Sequence, residues 1–504
     1  MDSLFEIVDI VKTIKLKSSD LLLSDTGRKN QAQVFYEKLV NRELHTDQEA
    51  AQYFFKTGTT DFRYKNLKRY LKEKLLSSLF FIEPKQNYGE YDREYIYCCK
   101  NMMAAKILIN FGTRETGINI CKKVFKKALR VELTEFILET ARYLRLHHGT
   151  RTGSLKEFNY YNKIFKKYQD IAMAESLAEE YYTILMLPYV KSKATNESTS
   201  KKALAFYELL EPYLNKFKSP LLHFYGRYIL IISHLSMNDY NQVILHCEKA
   251  IKFFESKPYG YNTPLRVFLH TLLLSYVQTK NFPNGKVAAS KAASLVLVGT
   301  HSWYVSQELS LLLALHSKEY AEAWKTLKLA LDHPKFKFLS AYVQERWLIY
   351  KAYVYFLAEA GKLEIQNEGD GNRLWLGKIL NSVPNLSRDK RGLNIPVLII
   401  QILYMIIRKD YDKSLDRFEA IQKYCSRYLH KGDGYRSNCF INMLLQIPKG
   451  NFHKSGVARK AKKWYDRLTS APLDLANQPH EIEIIPYEDL WGFIMDSLDS
   501  KFAH

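Results

Sequence analysis

Six lysines occupy matching places in two consecutive segments of this 504-residue chain. In "INICKKVFKKALRV", Lys123, Lys126 and Lys127 fall five, eight and nine residues after Ile118. In "FNYYNKIFKKYQ", Lys163, Lys166 and Lys167 fall at the same offsets after Phe158. If the two segments stack in register, the six ammonium groups form one stripe, suited to phosphates or to an acidic protein face. A solvated face kept polar for solubility is the plainer reading. The next segment ends the stripe, with Ala205, Glu208 and Leu209 at those offsets. A second basic run is "RYKNLKRYLKEK" (63–74). Its Leu67, Leu71 and Leu75 bury one helix side and leave Lys65, Lys68, Arg69 and Lys72 to water. With a capped helix before it, residues 47–82 make a helix-turn-helix-like segment that could enter a major groove.

Other reactive side chains do not assemble into a site. "HHGTRTGSLKE" (147–157) lacks the spacing and the Lys-Ser/Thr pair of a phosphate loop, and adjacent His147 and His148 point about 100° apart on a helix. "NEGDGN" has too few spaced carboxylates for a calcium loop, and neither HExxH nor GxSxG occurs. The six cysteines, Cys98, Cys99, Cys121, Cys247, Cys425 and Cys439, form no CxxC pair and read as reduced core residues. We expect no catalytic residue, no metal and no cofactor: the chain reads as not an enzyme.

Lys and Arg number 74 against 53 Asp and Glu, a net charge of +21. Such a surplus suits an acidic partner: nucleic acid, an anionic membrane surface or an acidic protein face. Glycine (21) and proline (14) are scarce, which disfavours a turn-rich β protein and suits long helices.

What must position these residues is a repeated turn. "KEF" (156–158), "NDY" (238–240), "KNF" (280–282), "KEY" (318–320), "KDY" (409–411) and "GNF" (450–452) each follow one helical pattern and open another. With Ile118, Ser200 and Gly361 filling the gaps, nine turns stand at 118, 158, 200, 240, 282, 320, 361, 411 and 452, spaced by 38 to 50. A period in this range marks a helical solenoid. After Tyr320, Ala323, Leu327, Ala330 and Leu331 share one helix face, and Val243, Cys247, Ala250 and Ile251 hold the same offsets after Tyr240. Gly285, Ala289, Ala292 and Ala293 do so after Phe282, and Ser414, Phe418, Ile421 and Gln422 after Tyr411. Small residues three and ten positions past the turn let two helices approach, and the aromatic caps the seam between units.

The stretch "SKEYAEAWKTLKLALDHP" (317–334) is similar to the second half of a tetratricopeptide repeat, with its acidic-aromatic turn, Ala323, Leu327 and Ala330, and Pro334 after the helix. The resemblance spans roughly 105–468. It implies an all-α fold: a right-handed superhelical array of about nine antiparallel hairpins, with the lysine offsets on the convex side. The period here is near 40 where the family has about 34, implying longer helices. Ile231, Leu273, Leu311 and Ile402 stand where the family's first helix has a small residue.

The expected organisation is a small helical N-terminal domain (1–104), the repeats (105–468), and a linker with an acidic capping helix (469–504). Thr46 with Glu49 starts one N-terminal helix as a capping box, and Asp61 caps the next. Polar stretches at 191–202, 365–372, 381–396 and 470–479 read as loops and linkers. The last helix carries Leu490, Trp491, Ile494, Met495 and Leu498. The start of the chain carries Asp2, Glu6 and Asp9 where a signal peptide needs positive charge. The longest apolar run (395–407) contains Pro396 and Gln401 and falls short of the roughly 20 residues a membrane span needs. These features predict a soluble, cytoplasmic scaffold or adaptor whose extended surface holds a macromolecule, foremost a protein. A nucleic-acid-associated regulator using 47–82 and the basic surface is the alternative.

Overall fold

The computed structural model describes residues 1–11, 30–81, 89–192, 197–365, 394–411, 415, 417–422, 435–471 and 483–498. Cys425, Ile82, Ser414 and most of the expected linkers at 365–372, 381–396 and 470–479 lie outside the described residues. Regular structure among the described residues is helical throughout. The chain forms two compact units, Met1–Lys166 and Lys167–His504.

The first unit opens with α1 (Asp2–Val11), α2 (Gln31–Val40), α3 (Asp47–Phe55) and α4 (Phe62–Ser78) around Leu4, Val8, Phe35, Leu39, Leu71 and Leu75. Caps place these helices. Thr46 Oγ1 accepts the Glu49 N–H at 3.1 Å, while the Glu49 carboxylate takes the N–H of His45 at 2.7 Å. Asp61 accepts the Arg63 N–H at 2.8 Å, as expected of a cap. Next come α5 (Glu90–Asn110), α6 (Arg114–Arg130) and α7 (Thr134–His147), with α6 packed on α5 and α7 on α6. The first unit therefore holds both the four N-terminal helices and the helices of the first expected repeat. A π turn (His148–Thr152) then leads into α8 (Leu155–Ser192), within which the unit boundary falls.

The second unit continues with α9 (Glu197–Lys216), α10 (Pro220–Leu235), α11 (Tyr240–Glu255), α12 (Asn262–Gln278), α13 (Phe282–Ser294), α14 (His301–His316), α15 (Tyr320–Leu331), α16 (Ala341–Glu359) and α17 (Asn394–Ile407). Each from α10 onward packs on the one before, and α12 also packs on α14, the first helix of the next hairpin. Burying one hairpin's apolar face against the next is the packing logic of helical repeats. After α17 come α18 (Tyr435–Leu444), the short α19 (Gln446–Lys449), α20 (Lys454–Ser470) and α21 (Tyr487–Ser497).

The hairpin turns share one backbone. Asn238, Lys280, Lys318, Gly361 and Lys409 have φ of 56°, 53°, 64°, 69° and 60°. The N–H of the following residue reaches the carbonyl five back: Asp239 to His234, Asn281 to Tyr276, Glu319 to Ala314, Lys362 to Leu357 and Asp410 to Met405, at 2.8 to 3.0 Å. This left-handed closure satisfies carbonyls that a helix end leaves open. The middle residue then caps the next helix where its chemistry allows, Asp239 for Gln242 and Asn281 for Asn284. Helices start at Tyr240, Phe282 and Tyr320, as the spacing predicts. Past them, Val243, Cys247 and Ala250, then Gly285, Ala289 and Ala292, then Ala323, Leu327 and Ala330 are all buried. Tyr411 and Phe452, aromatics of two expected turns, stack at 4.2 Å.

The earlier expected turns do not fall on turns. Ile118, Phe158 and Ser200 lie inside α6, α8 and α9. The left-handed residues nearby are Gly112, Glu132 and Gly153, and Glu132 repeats the closure, with Leu133 N–H on the Ala128 carbonyl at 3.0 Å. "KEF" at 156–158 follows a turn already completed at Gly153, so it continues a helix.

Candidate functional site

Five of the six stripe lysines are exposed: Lys123 and Lys126 on α6, and Lys163, Lys166 and Lys167 on α8. Lys127 differs. Its Nζ lies 3.0 and 2.8 Å from the two carboxylate oxygens of Glu94 on α5 and 4.0 Å over the Tyr97 ring. Arg130 donates to Glu94 at 2.6 Å and pairs with Glu90 at 2.9 Å. Glu94 is buried, so both cations hold α6 on α5 as well as facing water. A polar cavity of about 560 Å³ opens here, lined by Glu90, Arg93, Glu94, Lys100, Lys127 and Arg130, with Tyr97 beside them. Cations outnumber carboxylates along its wall, which suits an anionic group.

In the second basic run Lys65, Arg69 and Lys72 are exposed, and Lys68 is half-buried. Lys68 donates to Asp47 at 2.6 Å, and Asp47 also accepts from Tyr64 OH and pairs with the Met1 amino group at 3.0 Å. Burial opposes the Asp47 charge, but these donors win and hold its carboxyl at about 2. Lys68 therefore ties α4 to α3, which removes one of the four cations from any groove-reading role. Leu71 and Leu75 are buried and Leu67 packs against the same core, as the pattern predicts.

Thiol chemistry is suppressed. Cys98, Cys121, Cys247 and Cys439 are buried, and burial pushes Cys98 up to about 12 and Cys121 to about 11. Cys99 is exposed, contrary to the reading of every cysteine as core. Among the described residues no three His, Cys, Asp or Glu side chains gather to hold a metal, and no helix is long and apolar enough to cross a membrane.

Two features escape the sequence reading. On α20, Val457, Ala461 and Leu468 are buried, leaving Arg459, Lys460, Lys462, Lys463 and Arg467 exposed on the opposite side with one acid, Asp466, among them. Lys463 and Arg467 flank the Trp464 ring at 6.0 and 5.1 Å. The signal was legible in "GVARKAKKWYDRL", had the apolar period been read for its polar side. The other feature is a buried ion cluster. Arg436 donates to Glu483 at 3.0 and 2.9 Å, to Glu488 at 2.8 and 2.7 Å, and to the carbonyls of Leu468 and Ala471. Burial opposes the guanidinium charge, yet the two carboxylates hold Arg436 protonated above its ordinary range. His316 Nε2 meets the Glu483 carbonyl at 2.6 Å, and Lys318 pairs with Asp489 at 2.8 Å. Partners 32 to 171 residues apart leave no local trace of this cluster.

The chain matches no protein-family model, no curated protein and no solved structure.

Proposed function

We propose that this chain is a non-catalytic scaffold that holds a macromolecular partner, foremost an acidic protein surface, along tetratricopeptide-like hairpins wound as a superhelix. The observation that carries this reading is the repeated left-handed turn from Asn238 to Lys409, with small buried residues behind it. Repetition extends a surface without enclosing a cavity, and an extended surface favours a large partner over a small substrate. The exposed Lys123, Lys126, Lys163, Lys166 and Lys167 supply the charge for an acidic face. The suppressed thiols fit a reducing compartment such as the cytoplasm.

A second reading, nucleic-acid binding, is favoured by the basic side of α20. Its apolar side is buried, so the helix has no face left to insert into lipid, whereas stacked cations beside Trp464 suit a phosphate backbone. A gel shift with DNA and RNA across salt concentrations separates the two readings. The scaffold reading expects no shift near physiological salt. A shift that weakens steeply with salt and disappears in Lys460→Glu/Lys463→Glu/Arg467→Glu would replace it with the second.

A further inference from the structure

α5 turns an apolar side to water. Its buried residues are Glu94, Cys98, Met102 and Ala105. α6 packs on that side, where Lys127 and Arg130 reach Glu94. α7 meets the flank, with Tyr95 against Phe136 at 5.7 Å and Lys106 paired to Glu139 at 2.5 Å. On the remaining side stand Ile96, Lys100, Met103 and Ile107, followed by Phe111 just past the last helical residue. Met103 is 47% exposed, Ile107 50% and Phe111 80%. The outer side of a packed helix is ordinarily polar. Single exposed apolar residues are common, but a contiguous row marks a contact surface.

The row advances by four, three, four and four residues, which keeps it near one face. Steps of four and three make a seam that receives the side chains of a second helix. α1 to α4 leave the row open, since they close a core to which α5 contributes nothing. Beside the N-terminal half of the row opens the polar cavity of about 560 Å³, and Ile96 and Lys100 line it as well. Four cations, Arg93, Lys100, Lys127 and Arg130, face two carboxylates, Glu90 and Glu94, so its wall is net positive. Arg93 is exposed. Carboxylates on a helix laid along the seam would fall against this wall.

We propose that the outward side of α5 docks an acidic amphipathic helix of a partner protein. Its apolar residues would lie on Met103, Ile107 and Phe111, and its carboxylates would enter the cavity against Arg93 and Lys100. A second copy fits this face less well, because a chain of net charge +21 repels itself. A bilayer would take the apolar row without using its spacing. The proposal takes from the scaffold reading only that the occupant is an acidic protein. Its surface contains none of the exposed Lys123, Lys126, Lys163, Lys166 and Lys167, so its failure leaves the test of that stripe standing.

The test is fluorescence anisotropy of the full chain with two labelled three-heptad peptides, leucine at a and d, and glutamate in one or lysine in the other at e and g. Like charges at e and g keep each peptide from pairing with itself. We expect saturable binding of the glutamate peptide, roughly tenfold or more tighter than the lysine peptide. Met103→Ser/Ile107→Ser, at exposed positions where folding is safe, should weaken it by roughly tenfold or more. Arg93→Glu should weaken the glutamate peptide and tighten the lysine one. Sedimentation velocity and flotation with phosphatidylserine vesicles examine the other two occupants. Self-association or vesicle binding that the serine pair abolishes would overturn the proposal in favour of a second copy or of lipid. Absence of saturable binding of the glutamate peptide, equal binding of both peptides, or wild-type affinity in the serine pair or in Arg93→Glu would overturn it outright.

Discussion

Left-handed backbone at a residue with a side chain costs about 1–2 kcal/mol, and this fold accepts that cost at several turns. Gly361 already meets the requirement, while Lys280 holds φ 53° with a Cβ in the way. Lys280→Gly is therefore expected to stabilise the second unit by about 1 kcal/mol, read as a higher urea midpoint. Helix glycines divide by what surrounds them. A Cβ on Gly285 would sit 2.5 and 2.9 Å from the methyl carbons of buried Leu313, whereas one on Gly492 would meet nothing within 4 Å. Gly285→Leu should lower stability by about 2 kcal/mol or more, and Gly492→Ala in exposed helix should raise it by about 1 kcal/mol. Thermal unfolding of the two variants side by side would show shifts of opposite sign. Single residues were legible where chemistry is local. Tyr240, Phe282 and Tyr320 announce their helices because the three residues before each helix do the work of the turn. Lys127 was misread because its partner, Glu94, lies on another helix 33 residues away.

At the scale of elements, α21 and the segment before it are fixed by polar as well as apolar contacts. Leu490, Trp491 and Ile494 are buried as the sequence pattern predicts for a capping helix, and Tyr487 stacks on Phe440 at 4.3 Å. The pattern could not reveal Arg436, whose two carboxylate partners follow it by 47 and 52 residues. Glu483 is fully buried, so removing the guanidinium strands its charge. Arg436→Met should destabilise the second unit by roughly 3–5 kcal/mol. Adding Glu483→Gln should restore part of that loss, since a neutral amide costs less to bury. A double-mutant cycle by urea unfolding measures the coupling, and additive losses would contradict it. Register was legible from Asn238 to Lys409, where motif turns and the step to Gly361 coincide with the left-handed closures. Around the 38-residue α8, the turn motif at Phe158 and the 40-residue steps to Ile118 and Ser200 all fell inside helices.

Across the whole molecule, a net charge of +21 is spread unevenly. Acidic residues near the end of the chain are spent on its own lysines, Asp489 on Lys318 and Asp496 on Lys362. Cations of α6, α8 and α20 remain turned to water. Scarce glycine and proline disfavoured a turn-rich β fold, and the helical spacing of apolar residues foretold the all-helical one. No composition names the partner, because recognition depends on which charged faces stay open, and that is settled by pairs distant in sequence. The central claim is that the open lysines hold an acidic macromolecule while contributing little to folding. It is tested most directly by replacing Lys123, Lys126, Lys163, Lys166 and Lys167 together with glutamate, then comparing lysine cross-linking to bound macromolecules in cells that express the protein natively. The account predicts a thermal midpoint within a few degrees of wild type and loss of the macromolecule cross-linked to the unaltered chain. An unchanged cross-linked partner, or no partner on the unaltered chain, would contradict it.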